Sequence, residues 1–418
     1  MTAGRSTTAT ALREPTERVG GGWTGALSLA NGAIWVGWYG PLQILLAVQA
    51  EELAPAGTSK ETVLAWVTGV GAVVSLAANP LFGAVSDRTT SRWGRRTPWI
   101  AAGTAGGAAS LLLLSAAGSL WAMAAGWCLV QLTLNAAFAA VTAAVPDRVP
   151  RGQRGSVGGW LGAAQLLGVV VGTGLATLAG GTVAGYAACA LFTVAGVLPY
   201  VVRHRDLRLA AADRPPWKGR SFLAGFWLSP RRHPDLGWAW LTRFLINVSN
   251  SLVLLYLLYF LRDRLHHADP EAGVLILTAV NGVTMLATVV AGGAWSDRVG
   301  RRKPFVIWSG TLMAAATGLL ALWQTWPGAI VAAALLGVGF GVFTSVDFAL
   351  MTDVLPRAAD RGKDLGVINI ANSLPQVAAP ALAAPLVTHL GGYRALYLTA
   401  AVLGLAGAVL VTRIKGVR

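Results

Sequence analysis

The sequence predicts an all-α integral membrane protein, with twelve transmembrane helices in two pseudo-symmetric six-helix bundles. Three observations carry that prediction. The 418 residues are 55% hydrophobic and only 12% charged, whereas soluble domains carry about 25% charged residues. Apolar runs recur from end to end, and each is close to the roughly 20 residues a helix needs to cross a bilayer. A basic, glycine-punctuated phrase also occurs twice. It reads GAVSDRTTSRWGRRTPWI from Gly83 and GAWSDRVGRRKPFVIW from Gly293, 210 positions apart.

The spans follow in order. The first bundle, 23–202, holds 23–48, 61–85, 98–117, 120–145, 155–179 and 181–202. The second, 237–412, holds 237–261, 272–295, 304–323, 326–351, 365–388 and 392–412. Polar tails 1–22 and 413–418 flank them. An Arg- and Pro-rich linker, 203–236, joins them, with a surface-lying apolar piece expected at SFLAGFWL. The 51 glycines suit helices that must approach closely in lipid. If the N-terminus, alternate loops and the C-terminus share one side, that side carries 28 of the 33 Lys and Arg residues. Lys60, Arg262, Arg264 and Arg394 lie opposite, and Arg243 lies within a span. The positive-inside rule then predicts both termini in the cytoplasm of a plasma-membrane protein. It also accounts for the net charge of +15 without a nucleic-acid partner.

Both copies of the phrase fall between the second and third span of their half. A second echo follows the fourth and tenth spans: VPDRVPRGQRG contains Asp147, and MTDVLPRAADRG contains Asp353. Two such halves are the signature of a transporter that rocks one bundle against the other. At these residues the chain resembles the major facilitator superfamily, whose G-x-x-x-D-R-x-G-R-R motif the second copy matches without a gap. The first copy carries extra residues, TTS, before Arg92. That longer form, with Asn79-Pro80 and YGPLQILL, resembles the branch of sucrose–proton and glycoside–pentoside–hexuronide cation symporters. Melibiose-type members of that branch place cation-binding aspartates where this chain has Ser75 and Asn79, which argues against a sodium site.

The repeated residues are expected to form a cytoplasmic latch. In the first half these are Gly83, Asp87, Arg88, Gly94, Arg95, Arg96 and Asp147. In the second they are Gly293, Asp297, Arg298, Gly300, Arg301, Arg302 and Asp353. The carboxylates can meet a helix N-terminus, and the arginines can pair with Asp147 or Asp353 of their own half. Simple positive-inside anchoring explains the arginines but not the repeated Asp and Gly spacing.

Asp347 is the one acidic residue clearly inside a span, and Arg243 the one basic residue. Both lie at similar depth, roughly 9 and 12 Å from the cytoplasmic ends of their helices at 1.5 Å per residue. An intramembrane ionisable group is a functional hypothesis by default. The resemblance makes spans one, four, seven and ten line a central cavity, so an Arg243–Asp347 pair is expected there. It serves either as a static bridge or as the proton-coupling site. The substrate cavity is expected to use Asn31, Trp35, Tyr39, Gln43, Gln131, Asn135, Gln165, Asn247, Asn250, Tyr256, Asn369 and Asn372. Amides and aromatics suit a neutral hydroxylated solute; helix–helix hydrogen bonding is the competing role for each.

No enzyme constellation is present. The five histidines lie in or near loops, Cys128 and Cys189 lie in apolar runs, and no G-K-[ST] phosphate loop exists. No cofactor or metal is expected. The partners are a small-molecule substrate, protons and the lipid bilayer, with a monomer as the working unit. The expected function is proton-coupled import of a neutral sugar or glycoside-like solute. The alternatives are proton-antiport efflux of a drug-like metabolite and a non-transporting sensor.

Overall fold

The computed structural model describes residues 15–150, 153–214, 234–299, 301–354 and 361–415. Most of the N-terminal tail, the SFLAGFWL piece and the end of the C-terminal tail lie outside these residues. Among them the chain is helical, with no strand.

Among the described residues twelve long helices follow the predicted spans, eleven of them to within about four residues at both ends and the seventh stopping six residues short of its predicted end. They are α1 (Gly21–Glu52), α2 (Lys60–Ser86), α3 (Thr97–Ser115), α4 (Leu120–Arg148), α5 (Arg154–Leu178), α6 (Thr182–Arg203) and α7 (Pro234–Leu255). The series continues with α8 (Pro270–Val299), α9 (Lys303–Leu322), α10 (Trp326–Val354), α11 (Arg361–His389) and α12 (Gly392–Leu410). Among the described residues ten are long and apolar enough to cross a membrane. α7 makes an eleventh when joined to its continuation Leu257–Arg264, from which it bends by 46°. α11 is as long but less apolar, because Asn369, Asn372 and Gln376 and three prolines interrupt it.

The internal repeat extends to packing. In the first half α1 packs on α5 and α6, and α3 on α4 and α6. In the second α7 packs on α11 and α12, and α9 on α10 and α12. The tight turns repeat as well. Gly180-Gly181 and Gly391-Gly392 all take positive φ, which a side chain would resist. The lead helix of each half also carries a π-helical turn, Pro41–Leu45 in α1 and Phe260–Arg264 after α7.

Two compact units emerge, and they depart from the sequence halves at one place. The first holds the chain to Leu45 together with Val73–Trp217. The second holds Leu46–Ala72 with the rest of the chain. The end of α1 and the start of α2 therefore belong to the second unit. Specific polar contacts account for this. Tyr256 Oη donates to the Glu61 carbonyl at 2.7 Å, and Tyr259 Oη to the Ala47 carbonyl at 2.8 Å. Lys60 Nζ lies 2.8 Å from Asp263 and 3.4 Å from Glu51, over the Tyr259 ring. Arg262 also pairs with Glu51, and Tyr393 donates to Asp263 at 2.9 Å.

Candidate functional site

Three groups of residues are brought together, each within one unit. The first is the predicted latch of the first half. Asp147, at the end of α4, accepts from Arg95 Nε at 3.1 Å and Arg96 Nε at 2.8 Å. Arg96 also reaches Asp87 Oδ1 and Ser86 Oγ, both at 2.5 Å. Burial works against the Arg96 charge, but Asp147 and then Asp87 outweigh it and hold the guanidinium pKa above its ordinary value. Two arginines buried around one carboxylate are a charge-assisted cluster, not an exposed anchor.

Asp206, which the sequence did not single out, joins this cluster. Its Oδ2 accepts from the backbone of Arg96 at 2.5 Å and of Thr97 at 3.1 Å, so it caps the N-terminus of α3. Arg95 N bonds Leu207 O at 3.1 Å, and Arg148 reaches the Arg205 carbonyl. The start of the linker is thus docked on the motif loop. Gly94 has φ +98°, and a Cβ there would run into the Asp206 side chain. Gly83 has no such constraint, since a Cβ would meet nothing within 4 Å. Arg88 Nη1 donates to the Ala84 carbonyl at 2.7 Å.

In the second half the backbone repeats this arrangement. Arg302 precedes α9 as Arg96 precedes α3, with nearly the same dihedrals and a proline in the first turn of each helix. Arg298 and Arg301 are exposed. Gly300 and the side chains at Asp297 and Asp353 lie outside the description, as does that at Gly293.

The second group is the intramembrane pair. Arg243 Nε lies 3.2 Å from Asp347 Oδ2, so α7 and α10 are bridged as the depths predicted. The Asp347 side chain is 3% exposed. Its Oδ1 is buried with no hydrogen bond among the described residues. A buried carboxylate with one oxygen paired and one open is chemically able to take up a proton.

The third group is a wall on the first unit. α4 presents Asn135 and Phe138 one turn apart. Asn135 Nδ2 bonds Ser75 Oγ at 3.0 Å and Gln131 Oε1 at 3.2 Å, and its Oδ1 accepts from Asn79 at 3.4 Å. Phe138 meets the rings of Trp35 and Trp38 edge-on, and Trp35 stacks on Tyr39 with centroids 5.3 Å apart. The indole N–H groups of Trp35 and Trp38 are buried without an acceptor among the described residues. Trp35, Tyr39, Phe138, Ser75 and Asn79 are half-exposed, so the wall has an open face. Ser75, Asn79, Trp38 and Phe138 were not among the predicted cavity residues. Phe138 had a signal, its i+3 spacing from Asn135.

Other predicted cavity residues have different surroundings. Asn31 donates to the Leu161 carbonyl at 2.9 Å and ties α1 to α5. Asn247 donates back to Arg243 O in its own helix. Tyr256 is fully buried, with its hydroxyl on the Glu61 carbonyl. Gln43 is buried in the π turn of α1, while Gln165 and Asn250 are half-buried. The side chains at Asn369 and Asn372 lie outside the description.

The Major Facilitator Superfamily profile matches residues 27–289 and 240–417. No curated protein matches the chain in sequence. Solved structures do match in fold. A peptide transporter POT bound to sulfate superposes with a TM-score of 0.75 at 14% identity, covering 98% of this chain and 97% of that one. The nucleoside transporter NupG gives 0.72 at 12% identity, covering 94% and 98%. The human organic anion transporter MFSD10 gives 0.68 at 18% identity, covering 93% and 99%.

Proposed function

We propose that this chain, which belongs to the Major Facilitator Superfamily, imports a neutral, hydroxylated solute such as a sugar or glycoside together with protons. Membership makes it an integral membrane transporter of small molecules and not an enzyme. The solute class, the coupling ion, the direction, the plasma-membrane location with both termini inside and the monomeric state are our reading.

The observation that carries it is the wall built on α4. Amides from Asn79, Gln131 and Asn135 adjoin an aromatic group from Trp35, Trp38, Tyr39 and Phe138, with two indole N–H groups that have no acceptor among the described residues. Amides exchange hydrogen bonds with hydroxyls, and flat rings stack on the apolar face of a pyranose. None of these side chains carries charge, which suits a neutral ligand. Coupling is assigned to Asp347. With Arg243 on one oxygen and the other open, it can exchange a proton when water reaches it, while Arg243 stabilises the ionised form.

The test is external pH in lightly buffered, de-energised cells producing the protein, after addition of a panel of disaccharides and glycosides. Transient alkalinisation by one sugar, absent in Asp347→Asn, is expected. Alkalinisation that survives the variant moves the proton site elsewhere. No response to any sugar, with the protein present in the membrane, overturns sugar import and directs attention to efflux.

A further inference from the structure

The three amides of the α4 wall have one orientation, and a backbone carbonyl sets it. Asn135 Nδ2 lies 2.7 Å from the Gln131 carbonyl oxygen. A backbone carbonyl only accepts, so Asn135 presents its NH2 end there. Its neighbours follow. The Asn135 oxygen accepts from Asn79 Nδ2 at 3.4 Å, and its nitrogen donates to Gln131 Oε1 at 3.2 Å and Ser75 Oγ at 3.0 Å. Asn79 therefore turns its carbonyl end away from Asn135, and Gln131 its NH2 end. Neither end has a partner among the described residues. The indole N–H groups of Trp35 and Trp38 add two donors to the same wall.

Helix packing does not need this cluster, as the second half shows. Counted from Gly83 and Gly293, Ser75 and Asn79 correspond to Met285 and Val289. Counted from Asp147 and Asp353, Gln131 and Asn135 correspond to Gly337 and Gly341. There α8 and α10 meet backbone to backbone. A Cβ at Gly341 would lie 2.6 Å from the Met285 carbonyl, and one at Gly337 would strike the Asn281 carbonyl.

We propose, resting on the reading of this wall as the solute site, that Asn135 is a positioning residue that fixes the wall's hydrogen-bonding polarity, with Gln131 as donor and Asn79 as acceptor toward the solute. An amide free to turn offers either end and discriminates little. Held by Asn135, each offers one end, and a solute without the matching group leaves it unpaired. The solute is then a ring whose hydroxyl opposite Gln131 accepts and whose hydroxyl opposite Asn79 donates.

Fluorine can accept a hydrogen bond but not donate one, so it separates the two roles. The full chain, purified in detergent, is titrated with methyl glucosides, galactosides and xylosides and with the monodeoxy and deoxyfluoro analogue at each ring position. The readout is the concentration that half-saturates the rise in melting temperature. At one position hydrogen should cost about tenfold while fluorine is tolerated; at another both should cost about tenfold. Asn135→Asp presents only acceptors, so it should draw the Gln131 NH2 inward and expose Oε1. Fluorine at the first position should then cost as much as hydrogen. A merely structural role for Asn135 would weaken all analogues alike and leave the pattern intact. Fluorine and hydrogen equivalent everywhere, a pattern unchanged in Asn135→Asp, or no binding by any probe overturns the proposal. If Asn135→Asp fails to fold, Gln131→Glu keeps an acceptor toward Asn135 and places another toward the solute. It should give the same reversal, and an unchanged pattern overturns the proposal. A sugar that alkalinises the medium while its analogues show no such pattern leaves import standing and removes the role of Asn135. Patterned binding without alkalinisation does the reverse.

Discussion

At the scale of single residues, Asp347 and Asp206 show how burial sets the cost of a change. Asp347 is almost fully buried against Arg243. Removing one partner of a buried pair strands a charge, at about 3–5 kcal/mol. Arg243→Gln should therefore lower the melting temperature sharply, and Arg243→Gln/Asp347→Asn should recover most of the loss. A double variant as unstable as the single would show that the pair is not the cause. For transport, Asp347→Asn should abolish accumulation yet keep solute counterflow; loss of both would point to a structural role. Asp206 does a different job, capping α3 through two backbone N–H groups. Asp206→Ala should cost about 1–2 kcal/mol, read as a lower melting temperature, with Asp206→Asn retaining most of the stability.

At the scale of helices, close approach decides the packing. α1 and α5 meet where a Cβ at Gly168 would strike the Gly32 carbonyl and lie 2.9 Å from the Trp35 Cβ. Backbone cannot move aside cheaply, so Gly168→Ala should lower the melting temperature. It should also weaken solute binding, because Trp35 stands at that contact. Gly158, on the same helix, has nothing within 4 Å of a Cβ. Gly158→Ala should be neutral or slightly stabilising, since alanine is favoured over glycine in a helix by about 1 kcal/mol. Equal effects of the two substitutions would refute the packing argument.

At the scale of the molecule, the end of α1 and the start of α2 are joined to the α7 continuation by the ion cluster of Glu51, Lys60, Arg262 and Asp263 and by two tyrosine hydroxyls. The charged members are partly exposed. Each such pair is worth about 0.2–1 kcal/mol, so Lys60→Gln/Asp263→Asn should lower the melting temperature only modestly. A large drop would show that the cluster contributes more than partly exposed pairs do.

Much of this was legible in the primary structure for a physical reason. Membrane helices satisfy their own backbone, so length and apolarity alone mark ten of the twelve among the described residues, with α7 added when joined to its continuation; α11, interrupted by amides and prolines, was legible mainly from its place in the repeat. The repeated motif placed Arg95 and Arg96 near Asp147 because each half carries its partners at matched loop positions. The Arg243–Asp347 bridge was legible because ions are rare at that depth. Tertiary structure alone decided the rest. α1 and α4 are apolar around most of their circumference, so no stripe shows whether an amide faces a helix backbone, as Asn31 of α1 does, or a polar cluster, as Asn135 of α4 does. Asp206 caps a helix that begins about 110 positions earlier, and Tyr259 bonds a carbonyl about 210 positions away. Such contacts have no local spacing to betray them. They depend on the rotation and bend of each helix, which only packing sets.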